Sequence, residues 1–225
     1  MDYSLYINSG IVLAVSQALS PAVRTDVLNS VAFATLAADE DFPGFGQSEQ
    51  WFETYTDILT ACGWSLIGHE MDLSPISKVQ PHSAIAVIKK LADLHLRSGQ
   101  TKVISSAMDK LAMVLREGKL PEYLRHHCLA SDSERPWSRA MAGMVEENGY
   151  LTIVSVAFND SVTTEQENLG AGRLTASPDR YLLRRSYAAR FNQSQFEAYR
   201  QQTIEWLAQE QQPHYTEIGV ISTQR

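Results

Sequence analysis

The chain has 225 residues, 44% apolar and 20% charged, with a formal net charge of −7. These proportions are those of an ordinary soluble globule, and no repeat or low-complexity segment appears. The charge is uneven: before Lys78 one base, Arg24, stands against ten acids, and from Lys78 onward 18 bases stand against 16 acids. An acidic first third repels polyanions, so nucleic acid is not an expected partner.

In chain order, residues 3–18 read as a first helix, weakened by Gly10. Ser20-Pro21 starts the second: Ser caps, and Pro occupies the first turn, where its missing N–H costs nothing. Val23, Val27 and Val31 recur at helical spacing up to Asp39-Glu40-Asp41, before the Pro/Gly loop at Phe42–Gly46. A third helix over Gln47–Cys62 places Trp51, Tyr55, Ile58, Leu59 and Cys62 on one stripe, and Gly63 stops it. Trp64–Leu73 alternates imperfectly, as a candidate strand that would weld both parts of the chain together. Residues 83–98 and 101–117 form a helical hairpin, with Ile104, Ala107, Met108, Leu111, Val114 and Leu115 facing inward. A short helix over 121–130 and a polar turn at Ser131–Pro136 follow.

After Asn148-Gly149 the period changes to alternation. Tyr150–Phe158 reads as a two-sided, central strand. Residues 159–178 are a long polar loop. In Arg180–Phe191, Tyr181, Leu183, Tyr187, Ala189 and Phe191 share a face on which Arg185 intrudes; Arg180, Arg184 and Arg190 lie on the other. Residues 193–210 form a helix expected to lay Phe196, Tyr199, Thr203, Trp206 and Leu207 on the sheet, and Tyr215–Ile221 is a last strand.

The fold class is therefore α+β. A helical part of five or six helices, 1–135, packs beside a small antiparallel β-β-α-β sheet, 136–225. The two are separate domains or share one core, because three strands are few for independent stability.

Two distant cysteines, Cys62 and Cys128, do not make a disulfide scaffold. Cys62 lies among Ile58, Leu59 and Trp64, which favours a buried, reduced thiol. The first residues lack the basic start of a signal peptide, and the run Ile11–Val15 is too short for a bilayer span. A cytoplasmic location is expected, barring export without a cleavable signal, and a membrane is not an expected partner.

No recognised catalytic motif is present. The one residue set with ligand chemistry is Arg180, Arg184 and Arg190 on one strand face, with Arg173 in the preceding loop. Guanidinium groups bind carboxylate or phosphate bidentately; a solvated face paired with acids such as Glu165 and Glu217 is the other reading. Residues 168–173, Asn-Leu-Gly-Ala-Gly-Arg, lack the ending and context of a phosphate loop. Glu122, His126, His127 and Cys128 are metal-ligand types without a fourth-ligand cluster, so no metal and no cofactor is expected. His69-Glu70 lacks the second His of a metalloprotease helix. His95 shares a face with Ile88 and Leu91, as a core histidine would.

Three functions remain: a non-catalytic protein-interaction or accessory protein, resting on missing catalytic motifs, asymmetric charge and abundant aromatics; an enzyme or binder of a small anion at the arginine face; and a membrane-active or toxin-like protein in which segment 11–38 refolds onto lipid.

Overall fold

Ser9 and Gly10 have φ of 43° and 87°, and they close a two-residue turn between strands β1 (Asp2–Asn8) and β2 (Ile11–Ser16). Left-handed φ at both turn positions is the type I′ hairpin geometry, whose twist matches paired strands. The first segment is thus a hairpin, not a helix. In the computed structural model, residues 1–43, 47–75, 83–117, 129–130, 137–159, 181–209 and 213–223 are described.

Helix α1 (Pro21–Asp41) begins where Ser20 accepts from the Val23 N–H, and α2 is Ser48–Ala61. Strand β3 is Trp64–Pro75; the helical hairpin is α3 (Ala84–His95) and α4 (Ser98–Arg116). Next come β4 (Leu129–Ala130), β5 (Trp137–Val145), β6 (Tyr150–Asn159), β7 (Tyr181–Phe191), helix α5 (Gln193–Leu207) and β8 (Tyr215–Ser222).

The eight strands form one mixed sheet in the order β3-β7-β6-β5-β2-β1-β8, with β4 paired to the start of β5. β2 and β5 pair in parallel; the other pairs are antiparallel. This corrects the expected architecture of a helical part beside a small antiparallel sheet. Two strands of the sheet come from the first 16 residues, β3 and β5 add two more, and β8 lies at the far end, against β1.

β5 escaped the pattern because Ala140, Met141, Ala142, Gly143 and Met144 are poor β-formers. Pairing with β6 on one side and β2 on the other, with Met141, Ala142 and Met144 buried, holds them extended.

Both sheet faces are apolar, and each takes a helical layer. Leu5, Ile7, Ala142, Met144, Val154 and Val156 pack against Ile85, Ile88, Ile104, Met108 and Leu111 of α3 and α4. Leu13, Met141, Val145, Leu151, Ile153 and Tyr187 pack against Val27, Val31, Trp51, Tyr55 and Leu59 of α1 and α2. In α4 the expected face is buried, with Val114 and Leu115 at its margin.

α5 does not lie on the sheet as expected. It covers α1: Leu207 packs on Ala32 and Leu36, Trp206 meets Phe33 edge-on at 4.9 Å, and Arg200 holds Asp26 through two 2.8 Å hydrogen bonds. It reaches the sheet-side core through Phe196, which meets Phe191, and through the buried Thr203, which hydrogen-bonds Cys62. Gly63, at φ +83°, allows the α2–β3 corner to sit against this turn, since a Cβ there would be 2.8 Å from the Asn192 carbonyl oxygen. Among the described residues no helix is long and apolar enough to cross a membrane.

Candidate docking site at the edge strand

β3 is an edge of the sheet, bonded to β7 on its inner side. Every residue from Ser65 to Met71 is exposed, including Leu66 (44%), Ile67 (57%) and Met71 (49%). The register shifts between Leu66 and Gly68, so Ile67 is the extra residue of a bulge. A bulge shortens the part of an edge that can pair with another strand; the regular part begins at Gly68.

Period two sends the side chains to two grooves. Leu66, His69 and Met71 face the α2 side, where Phe52, Glu49, Glu53 and Thr56 form the other wall and Arg185, Ser186 and Tyr187 the floor of a cavity of about 280 Å³. Glu70 faces the α3 side and meets His95 at 2.5 Å. His95 is therefore a rim residue pairing with a carboxylate, not the expected core histidine. Beside it Leu91, Leu94 and Arg184 line a second cavity of about 530 Å³, with Leu94 66% exposed.

Arg185 is the residue that intrudes on the apolar face of β7. Its guanidinium lies 4.3 Å from the centre of the Phe52 ring, and its Nε and Nη2 are buried with no hydrogen-bond partner. Burial pulls its pKa below the usual arginine range, opposed by the Glu49 and Glu53 carboxylates. Its signal in the sequence was a lone cation in an apolar alternation.

Deeper, Asp39 accepts from Trp51 Nε1 at 2.7 Å and from Arg139 Nη2 at 2.6 Å, and the Arg139 guanidinium stacks 3.6 Å from the Trp51 ring centre. Tyr187 donates to the Tyr55 hydroxyl at 2.7 Å, and burial raises both phenols well above their usual pKa. These hydrogen bonds tie α2, which carries the aromatic wall of the groove, to α1, β5 and β7.

Of the arginines singled out in the sequence, Arg173 and Arg180 lie outside the described residues, as do Glu122, His126, His127 and Cys128. Arg184 lines the α3-side groove. Arg190 is exposed, opposite Tyr150 and Ser65. The two share a face but are six residues apart on one strand, about 20 Å, too far for one phosphate to bridge. Glu217 is on β8, at the far end of the sheet, where it accepts from Tyr6 at 3.5 Å. Among the described residues no three His, Cys, Asp or Glu side chains gather as metal ligands.

No family model and no curated protein matches the sequence. Three solved structures are similar in layout. One is described as a delta-endotoxin, with TM-score 0.45, 9% identity, and 82% of this chain and 84% of that chain covered. Another is the Evf virulence factor, with TM-score 0.39, 9% identity and coverage of 90% and 82%. The third is the activated Cyt2Ba monomer from Bacillus thuringiensis subsp. israelensis, with TM-score 0.37, 10% identity and coverage of 83% and 99%. With TM-scores this low, neither family nor activity passes to this chain.

Proposed function

We propose that the protein works by docking another polypeptide along β3. The observation that carries this is the run of exposed residues Ser65–Met71, with three large apolar side chains, on a strand whose outer backbone groups have no partner strand among the described residues. An exposed edge strand is a template for adding a strand, and flanking grooves for alternate side chains supply selectivity. The test is a photo-crosslinking amino acid placed at position 67, 71 or, as control, the exposed position 102 of α4, in cells that make the protein. A discrete covalent adduct from 67 and 71 that 102 does not give is the expected result. Identical patterns from all three sites overturn the reading.

A second reading, membrane activity, has its own observation. The contiguous strands β3, β7, β6 and β5 have 12, 11, 10 and 9 residues, and a tilted strand of about 9–11 residues crosses the hydrocarbon of a bilayer. The cost lies in β7, which carries Arg184 and Arg185 on opposite faces; an arginine facing lipid at the midplane costs about 2–4 kcal/mol. Release of dye from phosphatidylcholine–phosphatidylserine vesicles would favour this reading over docking. No release at pH 5 or pH 7 removes it.

A further inference from the structure

We infer that the occupant of the β3 edge is an extended strand in which basic residues alternate with apolar ones. This rests on the docking reading and adds the partner's chemistry. The α2 side of the edge is acidic: Glu49, Glu53 and Asp57 are exposed and spaced by four residues, one row along a helix that contains no base. Like charges at that spacing weaken a helix. The cation facing this row within the groove is Arg185, which sits against Phe52 with two of its nitrogens buried away from solvent. One cation faces two groove carboxylates, Glu49 and Glu53, so the groove is left with negative charge on its outer lip.

A strand added outside β3 lies about 4.8 Å from it and sends alternate side chains to the two grooves. On the α2 side, a lysine or arginine stem would run over Leu66 and Met71 and bring its head to the glutamates, apolar length buried and charge kept at the water. On the α3 side the wall is different. Ile67 and Leu94 are exposed, and Glu70 is already paired with His95. That side takes an apolar residue. A second copy of this chain fits less well, because pairing β3 with itself brings a second set of Glu49, Glu53 and Glu70 carboxylates alongside the first, and like charges across strands repel.

The experiment uses the full chain and three synthetic ten-residue peptides: alternating Lys-Val, alternating Glu-Val, and Lys-Val with every second backbone amide methylated. Binding is measured by fluorescence anisotropy at 150 mM salt against wild type, the E49Q/E53Q variant and the M71K variant. Expected are binding of the Lys-Val peptide alone, and loss of about tenfold or more in affinity with backbone methylation, with E49Q/E53Q and with M71K. If the Glu-Val peptide binds instead and M71K abolishes it, docking at β3 stands and the basic partner class is wrong. If Lys-Val binding is indifferent to methylation and to M71K, it is general attraction to an acidic protein, and both readings fall. Sedimentation supplies the remaining outcome: a dimer lost in M71K makes a second copy the occupant and overturns the inference.

Discussion

Leu13 lies opposite Gly143 where β2 and β5 run in parallel, and its Cδ1 is 3.0 Å from the place a Cβ on Gly143 would occupy. Ile153 Cγ1, at 2.8 Å, and the Thr152 carbonyl oxygen, at 3.2 Å, close the other sides. The glycine is thus required by packing between a residue of the first hairpin and two of the later sheet. Gly143→Val should destabilise by about 1–3 kcal/mol through overpacking. Urea unfolding measures it; a change under about 0.5 kcal/mol, the size of a surface effect, would mean that the junction yields easily.

The same junction bears on whether the chain divides. Each of the two cores draws residues from before and after position 135. Fragments 1–135 and 136–225 should each fail to fold alone, because each exposes the edge and apolar faces that the other covers. Expected are non-cooperative melting and collapsed amide spectra for each, with recovery on mixing. Cooperative melting of both fragments would establish two independent domains.

α4 offers a comparison within one helix. Leu111 is buried and Met113, two positions on, is 50% exposed. Leu111→Ala should cost about 2–5 kcal/mol, from lost transfer energy and a cavity. Met113→Ala should stay within about 0.5 kcal/mol. Equal effects would mean that α4 does not lie on the sheet with this face.

What the sequence revealed follows from where burial is one-sided. α2 and α4 put one stripe inward, and their spacing shows it; α1, covered by the sheet on one side and by α5 on another, was legible through its Ser-Pro start and its valine spacing. β6 and β7 contrast with the polar residues around them. The hairpin at residues 2–16 is buried on both faces from Tyr3 onward, so its apolar residues do not keep to one face and resemble a buried helix; the turn residues Ser9 and Gly10 separate the two cases. β5 is written in Ala, Met and Gly and is extended because its neighbours are. The docking edge was legible only as an imperfect strand: bulging at Ile67 breaks the alternation, and the exposure of Leu66 and Met71 depends on β3 being last in the sheet, a property of topology rather than of local sequence.

Arg184 and Arg190, on one face of β7 but about 20 Å apart at strand rise, should act independently on any stabilisation by phosphate. At that separation the effects of Arg184→Ala and Arg190→Ala should add to within about 0.3–0.5 kcal/mol in the double variant. Thermal unfolding in phosphate and in chloride at matched ionic strength gives the three values. A coupling above about 1 kcal/mol would mean that one polyanion spans both, and would restore the arginine face as a single site.

Stability should fall as pH rises above about 9. Burial pushes the Cys62 thiol from its usual 9.0 up to about 11, with Thr203 opposing by hydrogen bonding. Burial also raises Tyr55 and Tyr187, and the hydroxyl contact between them opposes the rise at Tyr55. For each of these groups the folded value exceeds the unfolded one, so between the two the unfolded chain holds fewer protons. Their stabilising contribution is complete below the unfolded value and is lost as pH climbs toward the folded one, at about 1.4 kcal/mol per pH unit for each group in its window. The thiol acts first, from pH 9, and the phenols join from about pH 10. Urea midpoints at pH 8, 9, 10 and 11 should decline with increasing slope. Cys62→Ala should flatten the curve between pH 9 and 10, and Tyr55→Phe should flatten it above 10, each judged by slope because both variants also lower the whole curve. A Cys62→Ala slope equal to wild type between pH 9 and 10 would mean that the thiol ionises as readily folded as unfolded, contrary to its burial among Leu59, Trp64 and Thr203.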